Sequence, residues 1–313
     1  MCLHALCFSL FSFSFYAAIG FLTLHIFVLL FFMDSSLFTL HSSLSTSDSS
    51  LFTHHSSLKV TLLGTGTSGG VPSLGCQCEV CRSTDPRDRR LRCVALVESA
   101  TTRVLIDCGP DIRQQLMPLP FKPFDAILMT HIHYDHVGGI DDLRPFSVFG
   151  PIRLYGDDKT CRQIHNVMPY CFGDHLYPGV PRLEMHEIFP HVPLHIGDLT
   201  IVPIQVMHGK LPILGFRIGT FAYITDMKTI AETELPYLEG VETLVVNALR
   251  FEKEHHSHQL VDDAVRFAHS IGAKRTYITH VCHHIGLYTQ AQQRMPDGVT
   301  LAYDGMVINV DAK

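Results

Sequence analysis

Within six consecutive positions, His131-Ile132-His133-Tyr134-Asp135-His136, this chain places three imidazoles and one carboxylate. The run follows Asp125 to Met129, which reads as an apolar strand, and precedes Val137-Gly138-Gly139, which reads as a turn. Histidines two residues apart on an extended segment project to the same side. The irregular backbone beyond them can turn Asp135 and His136 toward a second point nearby. Such a cluster can hold two metal ions a few ångströms apart. A two-metal site clamps the attacking and leaving oxygens of a displacement and supplies hydroxide at neutral pH. The commonplace alternative is a histidine-rich surface loop, and in a chain with 21 histidines isolated ones carry little weight. The complete H-x-H-x-D-H run at a strand end carries much more.

The chain has 313 residues, enough for one large domain or two small ones. Its 46% hydrophobic and 17% charged residues suit a buried globular core plus an apolar segment. A net charge of -6 argues against broad nucleic-acid binding, which needs a basic surface. The arginines between Arg82 and Arg92 read as a solvated loop. The first 58 residues contain no Lys or Arg. Residues 5–33 are apolar and long enough to span a bilayer; residues 34–58 read as a Ser/Thr-rich disordered linker. No basic n-region or small-residue cleavage site marks a secretory signal. Two readings stay open: residues 1–33 are a membrane anchor, or the working protein starts later, for instance at Met33. The chemistry begins after Lys59, in a domain spanning 59–313.

Along that domain the expected elements are strands at 59–63, 93–98, 103–107, 125–129 and 152–155, then 199–207, 214–218, 221–225, 243–246, 275–279 and 301–310. Helices are expected at 111–117, 140–146, 158–167 and 259–271, the last from an apolar stripe of helical spacing. The loop Gly64 to Gly70 lacks the Lys-Ser/Thr ending of a P-loop and reads as a tight loop lining the site. Several strands end in His or Asp: Met207 leads to His208, Thr225 to Asp226, Thr279 to His280. Ligands delivered from strand ends to one edge fit a rigid scaffold with a loop-built site. The element pattern predicts an α/β (α+β) four-layer sandwich, two sheets with helices outside.

Ten cysteines are unevenly spaced, and three cluster as Cys76-Gln77-Cys78-Glu79-Val80-Cys81. Three thiolates this close point to zinc rather than to a disulfide framework. His283 is the best fourth ligand, with Cys282 and His284 as rivals. A closed Cys3His site would be structural, pinning the early loop to the loop after His280. Such cysteine usage fits a reducing, intracellular compartment, with membrane attachment only if the N-terminal segment is retained.

The H-x-H-x-D-H run, with His208, Asp226 and His280 after it in that order, resembles the metallo-β-lactamase superfamily of hydrolases. The resemblance spans Lys59 to Val310 and implies that family's fold and ligand set. His131, His133 and His208 would hold one metal, Asp135, His136 and His280 the other, with Asp226 bridging. Two zinc or manganese ions suit these donors, and Asp135 would also serve catalysis. Gly64-Thr65-Gly66, Val71-Pro72, the cysteine cluster, His280 with His283, and Tyr303-Asp304-Gly305-Met306 resemble the phosphodiesterase group of phosphonate breakdown. In that group a further histidine is a proposed proton donor. The matching position is His258, with His255 and His256 close by. The resemblance implies hydrolysis of a small phosphate ester, cyclic or open, by a dimetal-bound hydroxide. The stretch Tyr155 to Pro203 departs from that group, which leaves the exact ester open. The alternatives are a tRNA 3′-processing nuclease, whose basic arm is missing here, and a carrier similar to the pyrroloquinoline-quinone biosynthesis B protein. Nucleic acid is not expected as a partner; a homodimer is left open.

Overall fold

Successive side chains of a strand face opposite ways, so a strand covered on both faces must be apolar at nearly every position. The chain supplies many such runs. The computed structural model describes residues 57–311 apart from 174, 175 and 177. One sheet contains β1 (Leu58–Gly64), β2 (Val94–Glu98), β3 (Arg103–Ile106), β4 (Ala126–Leu128), β5 (Ile152–Gly156) and β6 (Leu183–Glu187). A second contains β7 (Leu194–Ile196), β8 (Leu199–His208), β9 (Leu211–Ile218), β10 (Phe221–Ile224), β11 (Thr243–Asn247), β12 (Arg275–Thr279) and β13 (Val299–Leu301). β14 (Met306–Val310) then returns to the first sheet. The orders are β14-β1-β2-β3-β4-β5-β6 and β13-β12-β11-β10-β9-β8-β7. β3 to β6 run parallel, as do β10 to β13; the other neighbours are antiparallel.

Parity along the strands sorts the core into three layers. Val104, Ile106, Phe216, Phe221 and Tyr223 join the cluster between the sheets. Leu105, one residue over, joins Leu96, Ile127 and Ile112 outside the first sheet, and Ala222 and Ile224 join Ala264 and Phe267 outside the second. The helices are α1 (Glu79–Arg82), α2 (Ile112–Leu116), α3 (Tyr134–Val137), α4 (Asp158–Val167), α5 (Val261–Ser270) and α6 (Tyr288–Gln293). α2 and α4 supply the outer cluster of the first sheet; α5 and α6 supply that of the second. α4 starts where Asp157 accepts from the Thr160 amide at 2.8 Å, a side-chain N-cap. The four-layer sandwich expected from the sequence is present. The described residues belong to one compact unit.

Several expectations shift. The segment expected as a helix over 140–146 is a 3-10 helix, Ile140–Phe149. Pro145 has no amide proton to give and crowds the preceding turn, which disfavours α winding. Of the strand expected over 301–310, Leu301 ends β13 in one sheet and Met306–Val310 form β14 in the other. Between them Gly305 takes φ +85°, and its amide donates to the Leu62 carbonyl at 2.7 Å, so the chain turns across the core. The strand expected to begin at Leu214 begins at Leu211, paired with His208 across a tight hairpin. The anchor and linker expectations fall outside the described residues, except that Leu58 already opens β1. Among the described residues no helix is long and apolar enough to cross a membrane.

The loops at the carboxyl ends of β3 and β4 pack backbone to backbone. A Cβ on Gly139 would lie 2.1 Å from the Gly109 carbonyl oxygen and 2.5 Å from Ile112 Cγ2. Gly139→Ala should therefore cost about 1–3 kcal/mol or more of stability. Guanidinium unfolding would read this as a lower midpoint; an unchanged midpoint would contradict the close approach.

Candidate metal centre

Every expected ligand sits just beyond, or at, the end of a strand. His131 and His133 follow β4, Asp135 and His136 lie in α3, His208 ends β8, Asp226 follows β10 and His280 follows β12. Parallel strands ending at one edge open a crevice there, where an α/β sheet binds its ligands. One donor atom each from His131, His133 and His208 lies within 4.8 Å of the others. The same holds for Asp135, His136, Asp226 and His280. His131 Nε2 and His133 Nδ1 face each other at 2.9 Å. Asp226 Oδ2 is 3.2 Å from His136 Nε2, 3.0 Å from His280 Nε2 and 3.9 Å from His131 Nε2. It thus reaches both groups, as a bridging carboxylate must. Asp135 Oδ2 lies 3.3 Å from His136 Nε2 and 3.4 Å from His280 Nε2.

The far side of each ring decides which nitrogen faces inward. His208 Nδ1 donates to the carbonyls of Asp226 and Ser257 at 2.8 and 2.9 Å, leaving Nε2 for the centre. His136 Nδ1 bonds Asp107 Oδ2 at 2.7 Å. His131 Nδ1 meets Thr130 Oγ1 at 3.0 Å. His280, buried and at φ +55°, keeps a buried Nδ1 with no hydrogen-bond partner. Convergent imidazoles and carboxylates, all buried but His133, make a donor set that fits two divalent cations.

Asp107 was not among the residues expected to serve the site. It is fully buried, holds φ +66°, and accepts from the Thr130 amide at 2.8 Å and from His136. A non-glycine residue in that region is a strained position sustained by its surroundings. The signal was available: Asp107 ends a strand, as Asp226 does.

The clustered imidazoles and carboxylates set one another's charge. Burial opposes charge on His136 and His280, but Asp226 and the neighbouring carboxylates outweigh it: His136 is held well above the ordinary value, and His280 rises to about 9. Burial also opposes charge on Asp226 and Asp135, yet the imidazoles facing them hold both well below the carboxylate range. Burial pushes His131, His208 and His258 down, toward the neutral ring.

His258 Nε2 lies 3.4 Å from Asp226 Oδ2, and its ring stacks on His280 with centroids 4.9 Å apart. The expected proton donor therefore lies against the centre. His255 contacts it, and burial plus the rings of His258 and His256 lower His255 to about 4.

Cys76, Cys78, Cys81 and His283 come together in a second place, their donor atoms within 4.8 Å of one another. His283 Nδ1 is 3.3 Å from Cys76 Sγ and 3.3 Å from Cys78 Sγ. The rivals Cys282 and His284 are not in the group. The amides of Cys81 and Ser73 donate to Cys78 Sγ and Cys81 Sγ at 3.5 and 3.4 Å, support that favours thiolates. The loop before this cluster is tied to the loop after β12, since the Thr67 amide donates to the Val281 carbonyl at 3.0 Å. The His283 contact brings Cys78 down to about 6, whereas burial pushes Cys81 up to about 11.

Both sites make outcomes that can be measured. Below about pH 9 His280 carries a proton that a cation must displace, so metal affinity rises with pH up to that value. Calorimetric zinc titration of metal-free protein at pH 7, in buffers of different ionisation heat, should show net proton release; identical heats would contradict it. The thiolate is the reactive form of cysteine. In the metal-free cluster, iodoacetamide should label Cys78 before Cys81, and zinc should protect both, as read by peptide mass spectrometry. Cys78→Ser should release about one zinc per chain and lower stability.

Residues 102–281, more than half of the chain, match the model of the β-lactamase superfamily domain. The chain is similar to a Porphyromonas gingivalis protein named octanoyltransferase, 40% identical over 257 residues. That match covers 82% of this chain but 52% of the relative, so the chain spans about half of that protein's length. Coenzyme PQQ synthesis protein B of Methylobacterium radiotolerans is 31% identical over 219 residues, 60% of this chain and 72% of that protein. A crystal structure of a diphosphatase from the PhnP family superposes with a TM-score of 0.75 at 37% identity, covering 81% of this chain and 97% of the other. The chain belongs to the β-lactamase superfamily, in the PhnP-like group of metallo-β-lactamase-fold proteins.

Proposed function

We propose that this chain is a metal-dependent phosphodiesterase acting on a small phosphate ester. The observation that carries the reading is that all seven expected ligands converge, with His258 placed 3.4 Å from the shared carboxylate oxygen of Asp226. His131, His133 and His208 would hold one ion, Asp135, His136 and His280 the other, with Asp226 between them. Divalent ions held there would lower the pKa of a water and offset the charge growing on the phosphoryl oxygens. Asp135, whose Oδ2 stands 3.3 Å from His136 Nε2 and 3.4 Å from His280 Nε2, would be kept ionised by a bound cation and is the acceptor for the proton leaving the attacking water. Asp107, Thr130 and the Ser257 carbonyl keep three rings turned inward. His258 faces the centre through Nε2 and can protonate the departing oxygen. Burial favours its neutral form, but an anionic ester beside the ring favours the charged one.

The likeness to a PhnP-family diphosphatase supports this class of chemistry. The net charge of -6 suits a small anion better than a polynucleotide held by a basic surface. A carrier role, suggested by the likeness to PQQ synthesis protein B, has no need for the complete ligand set. The name octanoyltransferase belongs to a relative about half of which lies outside the match. Cys93, whose thiol meets Thr279 just before the ligand His280, is fully buried and pushed up by burial, which makes it a poor acyl acceptor.

The full-length protein loaded with zinc or manganese should hydrolyse bis-p-nitrophenyl phosphate. Asp135→Ala should lose bound metal and slow that reaction by about 10²–10⁴-fold. Unchanged metal content with unchanged hydrolysis would dismiss the catalytic reading.

A further inference from the structure

We propose that His255 is a positioning residue for His258, holding its ring and its proton arrangement so that Nε2 faces the reacting centre. The proposal rests on the hydrolytic reading above. The two rings meet through their Nδ1 atoms at 3.0 Å, and such a contact is a hydrogen bond only if one nitrogen carries a proton and the other does not. The opposite side of His258 decides which. Its Nε2 points at Asp226 Oδ2, 3.4 Å away, and its ring lies flat on His280, 17° from parallel. His208 packs edge-on against it at 4.7 Å between centroids. His258 is thus clamped between two metal-site imidazoles and has one ring edge free for a partner.

The Ser257 amide donates to His255 Nδ1 at 3.4 Å, so that nitrogen carries no proton; it accepts, and the His258 Nδ1 donates. That assignment suits both stages of a proton donation. Before the step, the His258 imidazolium gives Nδ1–H to His255 and aims Nε2–H at the ester. As the phosphorus–oxygen bond breaks, its electron pair stays on the leaving oxygen, which takes the Nε2 proton. The attacking water has meanwhile supplied the new phosphorus–oxygen bond and lost its proton to Asp135. His258 is left neutral with its proton on Nδ1, still in the same bond to His255. No ring flip or tautomer change is needed. Ser257 Oγ lies 3.2 Å from both Nδ1 atoms and closes the triangle. The Ser257 backbone carbonyl braces His208, so one short loop steadies a candidate ligand and the candidate acid together.

The test uses leaving groups. The p-nitrophenolate ion departs without a proton, whereas phenolate is more basic and gains more from an acid. In the zinc-loaded full-length protein, His255→Leu should slow methyl phenyl phosphate by about 10–100-fold, as loss of an outer partner does. It should slow methyl p-nitrophenyl phosphate much less. His255→Asn, whose amide reaches the place of Nδ1, should restore part of the phenyl ester rate. Combining His255→Leu with His258→Ala should be no worse than His258→Ala alone, since the two act as one unit. A separate readout needs no turnover. A downfield imidazole N–H signal in the proton–nitrogen NMR spectrum should vanish in His258→Ala and in His255→Leu, and persist in His255→Asn. Equal slowing of both esters by His255→Leu, additive losses in the double variant, or an N–H signal that survives in His255→Leu would overturn the proposal. If the wild-type protein hydrolyses neither ester, the hydrolytic reading fails, and the N–H signal alone decides whether the two rings are paired.

Discussion

One carboxylate oxygen organises the centre. Asp226 Oδ2 stands within 4 Å of imidazole nitrogens from His131, His136, His280 and His258. A buried carboxylate is costly unless positive charge surrounds it. His136 and His280 carry that charge, and they reach the carboxylate from beyond β4 and beyond β12 respectively. The two sheets and their packed inner faces exist, in this sense, to bring strand ends into register around one negative charge. Divalent ions would relieve the same imbalance more completely than the protons that His136 and His280 hold without them.

The pairing of polar groups spreads outward from that point. His136 passes its other nitrogen to Asp107, and Asp107 in turn holds Thr130. His208 passes its Nδ1 to the backbone beside Asp226 and His258. The result is a centre with few free torsions, built where glycines let loops touch. A Cβ on Gly109 would lie 2.1 Å from the Asp135 carbonyl oxygen. The cysteine cluster adds restraint from outside, since His283 lies three residues beyond His280 and is drawn to sulfurs more than 200 positions earlier.

Much of this was legible in the sequence, because polar residues at the ends of apolar runs are a strong signal when several agree. His208, Asp226 and His280 stand at such ends and were readable because their order after the H-x-H-x-D-H run resembles the superfamily's ligand set, and His283 because three clustered cysteines require a fourth ligand. Asp107 was missed, although it obeys the same rule, because it belongs to no short motif. The fold class followed from runs apolar on both faces. What was not legible was change of direction. The run from Leu301 to Val310 reads as one strand, yet only Leu301 belongs to β13, and Met306–Val310 form β14 in the other sheet. That is settled by Gly305 and by the Leu62 carbonyl it meets. The 3-10 winding of Ile140–Phe149 depends on Pro145 and on backbone contacts that periodicity does not report.

The crossing of the last segment has a bearing on how the chain is made. β1 is buried along almost its whole length, and it lies between β2 and β14. β14 alternates buried and exposed residues and forms the rim of its sheet. During synthesis the apolar β1 therefore waits with an unpaired edge until β14, which follows every other strand of the two sheets, emerges. An open, apolar edge is where strands from different molecules join. The half-polar β14 is the natural closing piece, and its late arrival makes the interval before it the period when nascent chains are most exposed to one another.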